Sequence, residues 1–175
     1  MDFQLTELLP SDLPAFKKDM QEAFQLGAAA EFAELNEEIL PERDIDRSLA
    51  APGSAAWKAL ADGETAGGAI VVIEQDGRRG HLDFLYVKHG AQSRGLGQLI
   101  WAAIEEKYPR VELWETVTPY FEKRNIHFYI NRCGFAAVEF FNPHHRDPQE
   151  PDNRTAPDDM PGGDYLFRFE KLMKR

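Results

Sequence analysis

Gln92-Ser93-Arg94-Gly95-Leu96-Gly97 is the stretch whose residue types and spacing carry the most chemistry. It follows a strand-like run over 81–87 and opens a helical pattern, so two glycines stand where the chain turns into a helix. First-turn N–H groups have no intrahelical partners and carry the positive end of the helix dipole, so a turn free of bulky side chains lets phosphate oxygens reach them. The reading is an anion-binding turn. A P-loop would need Gly-Lys-Ser/Thr, which does not occur. The dinucleotide fingerprint is half met: Ile100 stands where its third glycine belongs, although Glu115 lies at about the distance of a ribose-binding acid. The same glycines also suit an ordinary tight turn.

Other candidates are weaker. His144-His145 has no third ligand at useful spacing, so no metal is expected. Cys133, the only cysteine, precedes Gly134 at a helix end and reads as a buried apolar residue; it allows no intrachain disulfide. Arg78-Arg79 reads as a solvated turn. A formal net charge of −10 disfavours nucleic acid and anionic membranes and favours a cationic small substrate. The start Met1-Asp2-Phe3-Gln4 lacks the basic and apolar regions of a signal peptide, and no apolar run approaches membrane-spanning length. A cytoplasmic protein is expected.

These residues need elements to hold them. The length of 175 residues suits one domain, 1–175. A first strand is expected over 3–8, then a helix capped by Ser11 or Asp12 with Leu13, Phe16, Met20 and Ala23 facing inward. A second helix over 42–50 is broken by Pro52-Gly53. Strands over 56–61, 69–73 and 81–87 follow, the last two forming an antiparallel meander across Asp76-Gly77. Leu96, Leu99, Ile100, Ala103 and Ile104 give the next helix one apolar face, stopped near Pro109. A strand over 111–116, a short helix over 125–133 and strands over 135–141 and 165–170 complete the pattern. Strand–helix–strand order makes the strands ending at Val87 and Thr116 parallel. Residues 142–164, with five prolines and several acids, form a long loop that leaves one strand and returns as another. That loop is read as part of an acceptor pocket or a homodimer contact, or as a solvated connection.

Two motifs in this order resemble the GNAT (Gcn5-related N-acetyltransferase) superfamily. One is Gln/Arg-x-x-Gly-x-Gly/Ala, met by Gln92, Gly95 and Gly97; the other is the family's Asn-x-x-x-Tyr-x-x-x-Gly-Phe segment, which Asn125-Ile126-His127-Phe128-Tyr129-Ile130-Asn131-Arg132-Cys133-Gly134-Phe135 looks like. The resemblance covers most of the chain and is weakest before Ala55 and across 142–164. It implies an α/β fold: a mixed, mostly antiparallel sheet with a central parallel strand pair splayed around acyl-CoA and flanked by helices.

It also implies roles. The loop residues Gln92, Ser93, Arg94, Gly95, Leu96, Gly97 and Gln98 would hold the CoA pyrophosphate. The strand end Leu85, Tyr86 and Val87 would pair with pantetheine through its backbone, and Asn125 would touch the same arm. Tyr129 would protonate the leaving thiolate, although three- and four-residue spacing from Ile126 and Cys133 equally suits a core tyrosine. An alkylammonium of pKa about 10.4 costs about 4–5 kcal/mol to deprotonate at neutral pH, so a base or a water is required. His81, Asp83 and Glu115 are the candidates. His81 aligns with a glutamate base of some family members, and alternation places His81 and Asp83 on one face with Leu85 and Val87. The implied activity is acetyl transfer from acetyl-CoA to a primary amine by direct attack in a ternary complex. The alternative is a non-catalytic acyl-CoA-binding regulatory module.

Overall fold

The computed structural model describes residues 1–30, 37–91, 95–149 and 165–174. Gln92, Ser93, Arg94 and residues 150–164 of the proline-rich stretch lie outside the described residues. The chain divides into two units, Met1–Glu112 and Leu113–Arg175.

The first unit runs β1 (Phe3–Glu7), α1 (Leu13–Ala29), α2 (Glu42–Ala50), β2 (Ser54–Ala61), β3 (Glu64–Ile73), β4 (Arg79–Val87) and α3 (Leu96–Lys107). Its strands lie in the order β1-β2-β3-β4, each pair antiparallel. Between β2 and β3 the chain turns on Asp62 and Gly63, with φ of 52° and 83°. Two left-handed residues are what a type I′ hairpin turn requires, and Asp-Gly is among the few pairs that adopt them readily.

One face of this sheet is covered by α1 and α2 through Phe16, Met20, Leu40, Ile45, Ile70 and Tyr86. The expected cap of α1 is not made. Pro10–Asp12 forms a 3-10 turn, and the Asp12 carboxylate accepts the Leu9 N–H at 3.0 Å and Lys58 Nζ at 2.9 Å instead of a first-turn amide. Lys17 of α1 pairs with Glu42 at 3.2 Å and with Asp46, tying α1 to α2. On the opposite face Leu96 of α3 packs with Ala61 and Ala66, flanked by Phe3 and Val87.

Two bulges decide which side chains face which helices. Ala59 pairs with Gly67 and Leu60 with Thr65, so Ala66 is an extra residue in β3. Ile70 pairs with Phe84 and Val71 with Leu82, so Asp83 is the extra residue in β4. A bulge breaks the two-residue alternation. Phe84 and Tyr86 belong to the α1/α2 side, and Asp83 bonds to α2 as well. Leu85 and Val87 therefore point to the opposite face, where Val87 meets the α3 cluster. The expected sharing of one face by His81, Asp83, Leu85 and Val87 is corrected by this single inserted residue.

The second unit holds β5 (Leu113–Pro119), α4 (Lys123–His127), β6 (Ala136–Phe141) and β7 (Leu166–Leu172). Here β7 lies between β5 and β6, antiparallel to both. The helix expected over 125–133 is two pieces: α4 runs into a π turn, Phe128–Arg132, closed by the Cys133 N–H donating to the Phe128 carbonyl at 3.0 Å. Cys133 is buried, as its neighbours suggested. The widened turn carries the buried Tyr129 ring, packed against Phe128, Phe135 and Phe169.

Candidate active site

In the first unit the glycine turn is built from the end of β4 onward. The Lys88 N–H donates to the Ala66 carbonyl at 2.8 Å and the Ala91 N–H to the Lys88 carbonyl at 3.0 Å, folding the chain back after the strand. Gly95 then takes φ 69° as the residue before α3, a left-handed conformation that a side chain would strain. Gly95, at the N-cap of α3, has no side chain to cap it, and the first-turn residues are Leu96, Gly97 and Gln98. Leu96 is buried and anchors the helix, while Gly97 and Gln98 lie nearer solvent. Leu85, Tyr86 and Val87 form the preceding strand end, and their neighbour β3 pairs with them at Ala69, Gly68 and Gly67. Tyr86 is a core residue: its ring meets Phe16 edge-on at 5.6 Å, and burial raises its hydroxyl pKa. Only its backbone is therefore available to a ligand.

His81 and Asp83, two of the three expected bases, are brought together. His81 Nδ1 lies 2.7 Å from Asp83 Oδ1, and Ser48 Oγ of α2 donates to Asp83 Oδ2 at 2.5 Å. The His81 side chain is 33% exposed and the Asp83 side chain 22%.

The third, Glu115, belongs to a different cluster. In the second unit Arg168 of β7 donates to Glu115 at 3.2 Å, Glu139 at 2.8 Å and Glu170 at 2.5 Å. Glu139 also meets His145 Nε2 at 2.6 Å, and that histidine together with Arg168 holds the Glu139 carboxyl below its ordinary pKa. Among the described residues, no group of three or more His, Cys, Asp or Glu is placed to hold a metal ion.

Tyr129 is buried, and burial pushes its hydroxyl pKa upward, with the Cys133 thiol adding to the rise and a hydrogen bond with Thr116 opposing it. The phenol is thus protonated at any ordinary pH. Asn125 donates to Glu122 Oε2 at 3.4 Å. Two contributors were not visible as such in the sequence: Ser48 and Thr116. A serine at i+3 from Ile45, on the buried face of α2, was the available signal for the first.

The sequence profile of the acetyltransferase (GNAT) family matches residues 14–135. The chain belongs to that family. The uncharacterized protein YrkN of Bacillus subtilis (strain 168) is 45% identical over 168 residues, covering 94% of this chain and 90% of that protein. Among solved structures, the Escherichia coli ribosomal-protein-S18-alanine N-acetyltransferase superposes with a TM-score of 0.70 at 15% identity, covering 99% of this chain and 96% of its own. The PaiA N-acetyltransferase of Thermoplasma acidophilum, in complex with coenzyme A, gives 0.66 at 18% identity over 99% and 100%. Spermidine N-acetyltransferase of Vibrio cholerae, in complex with CoA and spermine, gives 0.65 at 12% over 97% and 95%. At such identities the likeness is one of fold: mixed α/β, a mostly antiparallel seven-stranded sheet with one parallel pair and flanking helices. Among the described residues, no helix is long and apolar enough to cross a membrane.

Proposed function

We propose that this protein transfers an acetyl group from acetyl-CoA to a primary amine by direct attack in a ternary complex. The observation that carries the reading is the order β4, left-handed Gly95, α3, which brings a helix N-terminus up directly after a strand end. Gln92, Ser93, Arg94, Gly95, Leu96, Gly97 and Gln98 would hold the pyrophosphate. From there a pantetheine arm running back along the backbone of Val87 and Leu85 would reach the bulge at Asp83. Val87 and Asp83 are four residues apart, about 13 Å in an extended strand. Asn125 would contact the same arm.

His81 is the base this reading favours. It lies just beyond the bulge, and its contact with Asp83 uses Nδ1 and leaves Nε2 to accept a proton. Asp83 has both oxygens engaged and orients the ring rather than acting itself. Glu115 has its carboxyl oxygen hydrogen-bonded to Arg168 at 3.2 Å and serves that guanidinium as a counter-ion. In the reaction His81 takes a proton from the ammonium, the amine lone pair attacks the thioester carbonyl carbon, and the C–S bond breaks as the amide forms. Tyr129 gives its proton to the departing thiolate and is reprotonated by the second proton that the amide nitrogen loses.

A small cationic acceptor is supported by the net charge of −10. The Vibrio cholerae relative by fold, whose structure holds spermine, makes polyamines the first compounds to try. The test is an amine panel with acetyl-CoA, read by thiol release and by mass of the acetylated amine. Release of thiol with a matching product supports the reading. CoA binding without thiol release on any amine replaces it with a non-catalytic acyl-CoA-binding module.

A further inference from the structure

We infer that Ser48 of α2 is a positioning residue that fixes, through Asp83, which nitrogen of His81 is free to take a proton. The inference rests on the proposed function for its catalytic consequence, but the geometry behind it belongs to the first unit alone.

A serine inside a helix ordinarily turns its hydroxyl to the carbonyl four residues back or to water. Ser48 does neither. It is 6% exposed, and its Oγ lies 2.5 Å from Asp83 Oδ2. Asp83 is the residue the bulge inserts, without a partner in β3, and the bulge turns its side chain toward α2. The helix reaches it because Ile45, fully buried one turn earlier, docks α2 onto the α1/α2 core, while Lys17 ties α1 to Glu42 and Asp46.

An ionised carboxylate only accepts hydrogen bonds. With one oxygen taken by the Ser48 hydroxyl, Asp83 cannot rotate without losing that bond, and its other oxygen stays 2.7 Å from His81 Nδ1. The imidazole must then donate from Nδ1, which puts the lone pair of the neutral ring on Nε2. A histidine with no such partner divides between two tautomers, and only one of them presents a base at Nε2. The three residues thus form a chain from a buried helix face to a half-exposed ring nitrogen: Ser48 fixes Asp83, and Asp83 fixes His81.

Nitrogen-15 spectra of the His81 ring, recorded on the ligand-free full chain at a pH where the ring is neutral, read the tautomer without any acetyl transfer. The expected result is a protonated Nδ1 in the parent, a share of protonated Nε2 in Ser48→Ala, and a return to the parent spectrum in Ser48→Thr, which keeps a hydroxyl. In turnover, Ser48→Ala should lower kcat roughly 10-fold, the effect of losing a hydrogen bond to a charged group. CoA affinity should be unchanged, and the threonine variant should recover kcat. A parent ring protonated chiefly at Nε2, or the same tautomer ratio in parent and Ser48→Ala, overturns the inference. Failure of the proposed function shows up elsewhere, as absence of thiol release from the parent across the amine panel, while the ring spectrum still decides the role of Ser48.

Discussion

Two clusters of carboxylates, one in each unit, differ in what sits opposite the negative charge. At the β4 bulge Asp83 faces a hydroxyl and an imidazole. Across β5, β6 and β7, Glu115, Glu139 and Glu170 face one guanidinium, that of Arg168. Arginine is protonated at every ordinary pH, so it sets a fixed positive charge against the three carboxyl groups. A neutral imidazole beside a carboxylate keeps a basic nitrogen, and the carboxylate only aims it. On the proposed reading, the same kind of group serves as counter-ion in one unit and as orienting group in the other. The contrast also distinguishes His81 from Asp83 and Glu115, the other two candidate bases, by what each one faces.

The largest effect should come from breaking the contrast at its basic end. His81→Gln removes the base while keeping a polar side chain, and kcat should fall about 100- to 10,000-fold, the range for losing a positioned general base. Glu115→Gln should leave kcat within about 3-fold, since a counter-ion is not consumed in proton transfer. Both are read by initial rates of thiol release at saturating acetyl-CoA and amine. Equal losses in the two variants would erase the distinction between the clusters.

Tyr129→Phe tests the second unit's other contribution. Its raised pKa keeps the phenol protonated, the state a proton donor needs. Turnover should fall roughly 10- to 1000-fold with CoA affinity retained. Unchanged kcat, with chemistry limiting, would leave Tyr129 as a packing residue among Phe128, Phe135 and Phe169.

Much of this arrangement was legible in the sequence because it follows from local pattern. α2 occupies Glu42–Ala50 as its composition and the Pro52-Gly53 break indicated, and Leu96, Ile100 and Ile104 of the apolar pattern do mark the buried side of α3, while Leu99 of the same pattern is exposed. The bulge at Asp83 was not legible. One extra residue leaves a strand's composition unchanged, and only the register against β3 shows that alternation breaks there. The π turn under Tyr129 was hidden for a similar reason, since one added residue per turn still reads as helix. The Ser48–Asp83 bond joins residues 35 apart, a separation no window of sequence spans.

A smaller effect sharpens the role of the glycine turn. Gly97→Glu places a carboxylate in the first turn of α3, where the proposed pyrophosphate site lies. Like charges at that site should weaken CoA binding about 10-fold or more, read by calorimetry on the folded variant, while Arg168→Gln in the other cluster should leave it unchanged. Unaltered CoA affinity in Gly97→Glu would move the cofactor away from this turn.

The smallest effect concerns the counter-ion cluster and pH. His145 and Arg168 hold Glu139 below its ordinary pKa, so the folded state binds its proton less readily than the unfolded chain does. By linkage, a group depressed on folding stabilises the protein above its unfolded pKa, and that stability is lost as pH falls through the folded value. Melting temperatures of the parent should therefore drop more steeply than those of Glu139→Gln between about pH 5 and pH 3, since the glutamine has no proton to take up. The gap should be small, because the pairs are partly open to water and screened. It should also shrink as salt is raised. Parallel curves across that window would mean that His145 and Arg168 hold Glu139 no differently from solvent.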